Sequence, residues 1–127
     1  MRSGLLALLI GSIASCSSST DPLLVNGKWV EDFSVPGNGF EMTLRSDGTR
    51  VSGSGAFCGE AGPCGIVSVT GTSDASGVQL DLHYTITVPT AGDGGTRHFS
   101  GRLTSDGKLS GSIRSGGLPS AITYHRG

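Results

Sequence analysis

The chain has little of what builds a charged surface or a large aromatic core. Aromatic residues make up 6% and charged residues 15% of its 127 residues, and the formal net charge is -1. A chain without a basic excess has no electrostatic footprint for nucleic acid, so we expect no nucleic-acid partner. Its apolar run over residues 5–10 is far below the roughly 20 residues that a helix needs to span a bilayer.

Glycine is the residue present in excess. It occurs 22 times, and each glycine inside a helix costs about 1 kcal/mol relative to alanine, which disfavours long helices. Collagen is excluded as well, because the glycines follow no three-residue period. The fold class that remains is one built from short strands and turns.

The N-terminus has the pattern of a targeting segment. Met1-Arg2 gives a basic start, and residues 5–10 form an apolar stretch typical of a secretion signal. Ile13-Ala14-Ser15-Cys16 follows and resembles the lipobox of bacterial lipoproteins. The resemblance implies that the signal is cut before Cys16 and that two acyl chains are attached to the Cys16 sulfur. An ordinary secretion signal cut near the same place is the alternative.

This pattern divides the chain into three segments. We expect a signal peptide over residues 1–15, a lipidated cysteine with a flexible polar tether over residues 16–25, and one β domain over residues 26–127. The lipid on Cys16 would attach the protein to a membrane of the bacterial cell envelope. By the lipoprotein resemblance, Ser17 after the cysteine favours the outer membrane in a Gram-negative cell.

The two other cysteines predict a disulfide. Cys58 and Cys64 bracket a short glycine-rich segment, and an exported protein in an oxidising compartment joins such a pair. A zinc site needs two further ligands, so we expect no metal there.

Short alternating runs separated by turn residues predict an all-β domain. In the clearest run, residues 78–88, apolar residues fall on even numbers and polar residues on odd numbers, so one face is buried and the other faces solvent. The predicted strands cover residues 27–34, 39–45, 50–57, 65–73, 77–88, 95–104, 108–114 and 120–126.

The order of these strands predicts an eight-stranded antiparallel meander barrel, because closure removes exposed sheet edges. A two-sheet β-sandwich is the alternative. Glycines inside the strands allow the tight coiling of a small barrel; they include Gly53, Gly55, Gly71, Gly101 and Gly111.

The first predicted strand opens on Gly27-Lys28-Trp29, which resembles the Gly-x-Trp motif of lipocalins and avidins. Those families are calycins, eight-stranded barrels in which a basic side chain packs over the tryptophan. The resemblance implies the same architecture here, with Arg126 as the basic residue. It transfers no ligand, because the chain shows no pattern of biotin-contacting residues.

A second segment resembles the recognition loop of bacterial lipoprotein inhibitors of lysozyme. Ser52-Gly53-Ser54-Gly55-Ala56 matches the start of that motif. Phe57-Cys58 stands where those inhibitors carry a basic residue and a tyrosine, so the functional end of the motif is absent.

The sequence contains no catalytic pattern. No Gly-x-Ser-x-Gly elbow lies between a strand and a helix. His83, His98 and His125 each stand next to a residue expected to point inward, so we expect them to face solvent. Asp81 shares a strand face with His83, but two ligands do not make a metal site. We therefore expect a protein that is no enzyme and needs no cofactor.

The barrel interior is the remaining candidate site. An eight-stranded barrel is just wide enough to be filled by side chains or to hold one small ligand. We expect a small apolar ligand inside the barrel. The alternative is an interaction or inhibitor protein that engages an envelope protein through its loops, with the Cys58–Cys64 loop as a rigid tip. The expected ligand-binding residues are Trp29, Phe40, Met42, Leu82, Tyr84, Phe99 and Tyr124.

The first and last strands are expected to close the barrel with a three-residue cluster. Strand alternation places Trp29 and Glu31 on one face of the first strand and Arg126 on the inner face of the last. The guanidinium can then stack on the indole ring and pair with the carboxylate. The cluster would seal one end and leave the ligand mouth at the other.

Overall fold

Alternation of apolar and polar residues produces eight strands in the computed structural model, which describes residues 22–32, 39–59 and 62–127. Every neighbouring pair is antiparallel. The sheet closes where β1 pairs with β8, so the predicted barrel is confirmed and the sandwich is wrong. The strands are β1 (Gly27–Glu31), β2 (Gly39–Asp47), β3 (Arg50–Cys58), β4 (Cys64–Asp74), β5 (Gly77–Val88), β6 (Gly92–Leu103), β7 (Leu109–Arg114) and β8 (Ser120–Arg126).

The meander order gives the barrel two different ends. Successive strands alternate in direction, so the connections β1–β2, β3–β4, β5–β6 and β7–β8 all lie at one end, which we call the mouth. The other three connections lie at the opposite end, where β1 begins, which we call the closed end. A ligand can reach the barrel interior only through one of these ends.

The inward faces of the strands form one continuous core. On β5 the even-numbered positions from 78 to 84 are buried and the odd-numbered positions between them are exposed, as alternation requires. The predicted alternation ends towards the mouth, where Ile86 is only partly buried and Val88 is 55% exposed. The core fills the closed end and the middle of the barrel. Its members are Val25, Trp29, Phe40, Met42, Leu44, Val51, Val67, Val69, Val78, Leu80, Leu82, Tyr84, Phe99, Leu109 and Tyr124.

Inward glycines bring the strands close enough to coil around this core. A Cβ atom added at Gly55 would lie 2.0 Å from the backbone oxygen of Glu41 on the neighbouring strand. Such a separation is far inside van der Waals contact, so only glycine permits this backbone approach. Gly53, Gly71, Gly101 and Gly111 stand in equally tight places.

A single 3-10 turn, Pro22–Val25, covers the closed end. Val25 is fully buried, and its carbonyl accepts a hydrogen bond from the indole Nε1 of Trp29 at 2.8 Å. Residues 22–25, which the sequence assigns to the tether, therefore pack against the closed end of the barrel. The buried indole N–H needs an acceptor, and the turn supplies it.

The predicted strand bounds agree with the structure to within a few residues, with one informative difference. β6 begins at Gly92 instead of residue 95, because its pairing with β5 shifts register between Tyr84 and Thr85. The glycines at residues 92, 94 and 95 gave the sequence the look of a loop. No helix among the described residues is long and apolar enough to cross a membrane.

Candidate ligand-binding site

A cavity of about 420 Å³ opens at the mouth of the barrel. Its lining comes from the mouth ends of five strands, β1, β2, β3, β5 and β6, so the meander itself assembles it. The side chains that shape it are Glu31, Phe40, Phe57, Tyr84, Ile86 and Arg97. The size suits a small molecule with a single ring or short chain, at the lower end of the usual range for ligand pockets.

Aromatic rings form the wall and floor of the cavity. The Tyr84 ring lies 5.0 Å from the Phe57 ring in an edge-to-face arrangement and 6.0 Å from the Phe40 ring. The centroid of the Phe40 ring also lies 5.7 Å from that of Tyr124, and the Tyr124 centroid lies 5.6 Å from that of Phe99. These separations are those of favourable aromatic pairs, so the five rings form one continuous aromatic surface.

Arg97 places a guanidinium on this aromatic surface. Its Cζ lies 4.5 Å from the centroid of the Tyr84 ring, within cation–π distance. Burial raises the pKa of the Tyr84 phenol, and the Arg97 charge partly opposes that rise. The phenol therefore stays protonated and neutral at physiological pH.

Glu31 brings a carboxylate to the same cavity. It occupies an inward position of β1, directly opposite Tyr124 of β8, and it is half-buried. Burial raises the pKa of the Tyr124 phenol far above its ordinary value, and the negative charge of Glu31 adds to that rise. Tyr124 thus contributes a neutral ring beneath the carboxylate.

The structure divides the seven expected ligand-binding residues into two groups. Phe40 and Tyr84 line the cavity. The other five are almost fully buried and pack in the core below it; they are Trp29, Met42, Leu82, Phe99 and Tyr124. The deep interior is therefore filled by side chains, and the open space lies at the mouth.

The expected closing cluster forms in part. The Arg126 Cζ lies 4.1 Å from the centroid of the Trp29 ring, opposite it in the β1–β8 register. The guanidinium donates hydrogen bonds to the carbonyls of Leu24 and Asn26, so it ties the N-terminal turn to the last strand. The contact seals the end of the barrel away from the cavity.

Glu31 does not join this cluster, which corrects the expectation. No ion pair links it to Arg126 among the described residues, and it lines the mouth cavity instead. Glu31 and Trp29 share a face of β1, but two residues along a strand separate them by about 6.6 Å. The guanidinium also turns towards the N-terminal turn, away from the mouth.

Gly27 of the Gly-x-Trp segment has a physical role in this contact. Its φ is +121°, and a Cβ added there would lie 2.9 Å from Nη1 of Arg126. A side chain would be strained by the backbone angle and would displace the guanidinium. The glycine therefore adopts this angle without strain and leaves space for Arg126 beside the turn.

The predicted disulfide is present. Cys58 and Cys64 are bonded across the β3–β4 connection, with 4.0 Å between their Cα atoms. Cys58 also borders the mouth cavity. The crosslink joins the two strands at the rim of the cavity.

The three histidines lie on the outer wall with side chains close to half exposed. Nδ1 of His98 lies 2.7 Å from Asp81, and Nδ1 of His125 lies 2.7 Å from Asp32. The hydrogen bond from His125 lowers the pKa of Asp32. No group of three or more potential metal ligands occurs among the described residues.

The sequence interpretation missed Arg97, Phe57, Ile86 and the position of Glu31 as parts of the site. The signal for Arg97 was present, because it has the same parity as Phe99 and therefore faces inward on β6. Its polar neighbours on both sides hid the alternation. The height of Glu31 along the barrel was not encoded in the alternation at all.

Comparison with family models, curated proteins and solved structures yields no match to this chain.

Proposed function

We propose that this protein is a lipid-anchored binding protein of the bacterial cell envelope that holds one small ligand in its mouth cavity. The observation that carries the proposal is the cavity of about 420 Å³ with its aromatic wall of Phe40, Phe57 and Tyr84. Small-molecule sites are usually concave spaces with aromatic side chains and a few placed polar groups, and this cavity combines three aromatic rings with Glu31 and Arg97. The role is that of a carrier or sensor, without catalysis or cofactor.

The filled core limits where the ligand sits and how large it is. Tyr124, Phe99 and Met42 are almost fully buried beneath the aromatic floor, and inserting a ligand among them would break close packing. The ligand therefore occupies the mouth, with its apolar part against the rings. This is a shallower site than a ligand in the depth of the barrel.

The lipobox resemblance at residues 13–16 supports the anchor, with the membrane as a second partner. The closed barrel and the Trp29–Arg126 contact support the likeness to calycins. An outer-membrane location in Gram-negative cells accords with Ser17 after the lipidated cysteine.

Native mass spectrometry of the protein purified from its own cells tests the proposal. We expect a retained small molecule that is lost on unfolding. Phe57→Ala removes one ring of the cavity wall and should lower the retained fraction several-fold. Ile66→Ala is the matched control, because Ile66 is 56% exposed on the outer wall.

Loss of the small mass in both variants, or its absence from the native protein under mild extraction, would contradict the proposal. Circular dichroism of each variant separates a change in occupancy from a change in folding.

A second candidate function is docking of an envelope protein on the mouth loops. Leu118, in the β7–β8 connection, is 93% exposed, so its side chain is available as an apolar contact at this end of the barrel. The disulfide-linked Cys58–Cys64 hairpin would be a second contact, on the opposite side of the same end. A protein that co-purifies with the wild type and is lost with Leu118→Ser would favour this function.

A further inference from the structure

The mouth cavity contains two charges of opposite sign that do not neutralise each other. Glu31 and Arg97 both line it, yet no ion pair joins them among the described residues. β1 and β6 are separated by β8 and β7 in the barrel order, on the order of 14 Å around the wall. The fold therefore holds the carboxylate and the guanidinium apart across one aromatic space.

Each charge also lacks a charged partner elsewhere in the described chain. Neither a hydrogen bond nor an ion pair connects the Glu31 carboxylate to another described residue, although it is half-buried and points inward. Arg97 rests on the face of the Tyr84 ring and has no carboxylate partner. Glu31 is half-buried and Arg97 is exposed at the cavity, so both charges are within reach of a bound molecule. A cavity lined by two such charges of opposite sign suits a ligand that pairs with both.

We propose that the ligand is a zwitterion with an apolar body: an anionic group pairs with Arg97, an ammonium group pairs with Glu31, and the body lies on Phe40, Phe57 and Tyr84. This inference rests on the proposed function and specifies its ligand class. An uncharged apolar ligand would leave both charges without partners. A ligand with a single charge would satisfy one and leave the other.

A set of probes that share a phenyl ring separates these cases. L-phenylalanine and glycyl-phenylalanine carry both charges at two different spacings, phenethylamine carries only the cation, 3-phenylpropionate only the anion, and 3-phenylpropanol neither. Binding is followed by the thermal midpoint of the lipidated protein in neutral detergent, read from the single tryptophan. Trp29 is buried at the closed end, so its fluorescence reports unfolding rather than direct contact with the probe.

We expect one of the two zwitterions to bind at least about tenfold more tightly than either singly charged probe, the usual order for a charge-assisted hydrogen bond. Glu31→Gln should lower the affinity for the zwitterion and phenethylamine and leave that for 3-phenylpropionate unchanged. Arg97→Gln should do the reverse. Arg114→Gln is the control, because Arg114 is exposed outside the cavity, and it should change none of the affinities.

Equal affinity for all five probes, or a zwitterion affinity that neither Glu31→Gln nor Arg97→Gln reduces, overturns the zwitterion assignment. If 3-phenylpropanol binds in that case, the zwitterion assignment is wrong but the proposed small-molecule function is still supported. Failure of every probe, together with no retained mass on the native protein, overturns both.

Discussion

At the scale of single residues, Arg126 has the largest share in joining separate parts of the chain. Its guanidinium stacks on Trp29 and donates to the Leu24 and Asn26 carbonyls. One planar cation thus covers a buried ring and satisfies two carbonyls of the N-terminal turn. A lysine has no flat face and could not make these contacts together.

Arg126→Ala should lower the free energy of unfolding by about 2 kcal/mol, because it removes a cation–π contact and two hydrogen bonds to a charged group. Urea unfolding followed by circular dichroism measures the change. Arg114→Ala removes an exposed arginine of the outer wall and should stay within about 0.5 kcal/mol of the wild type. Equal effects of the two substitutions would contradict the structural role of Arg126.

Residue-scale prediction from the sequence succeeded where strand pairing alone decides a contact. Trp29 and Arg126 could be placed together because closure brings the first and last strands into register. Glu31 could not be placed, since alternation assigns a face of the sheet but no height along the barrel axis. Arg97 could have been placed on the inner face from its parity with Phe99, but its polar neighbours hid the alternation.

At the scale of strands, the glycines decide how closely neighbours approach. Gly55→Ala would drive a methyl group against the backbone oxygen of Glu41, and such overpacking costs about 1–3 kcal/mol. Gly117→Ala is the matched control, because a Cβ there meets no atom within 4 Å. Thermal unfolding should show a lower midpoint for the first variant and little change for the second. A destabilisation of the same size in both variants would contradict the claim that the close approach of β2 and β3 requires glycine at residue 55.

The strands themselves were predictable because the alternation of apolar and polar residues agrees with the positions of the turn residues. Alternation fixed the faces of β2 and β5, and the Asp47-Gly48 and Ser76-Gly77 turns fixed where neighbouring strands end. β6 was harder, since its first residues are glycine-rich and its pairing depends on β5. Tertiary pairing therefore extended a strand that local composition would have ended.

At the scale of the whole molecule, the proposed anchor can be tested independently of the fold. Cys16→Ser should abolish acylation and the cleavage that depends on it, so that the protein keeps residues 1–15 and gains no acyl mass. Mass spectrometry of membrane and soluble fractions measures both. The double variant Cys58→Ser, Cys64→Ser is the control. It makes the same substitution at two cysteines outside the lipobox, so this protein should still be acylated. A Cys16→Ser protein found with membranes at the mature acylated mass would contradict the lipoprotein assignment.

The turn at Pro22–Val25 gives the molecule a direction relative to its proposed anchor. Pro22 lies six positions after Cys16, and a fully extended chain of that length reaches only about 20 Å. Because the turn is bound to the closed end, the proposed lipid anchor would hold the barrel against the membrane by that end. In that arrangement the cavity would open towards the aqueous compartment, and a ligand would arrive from solution instead of passing sideways out of the bilayer.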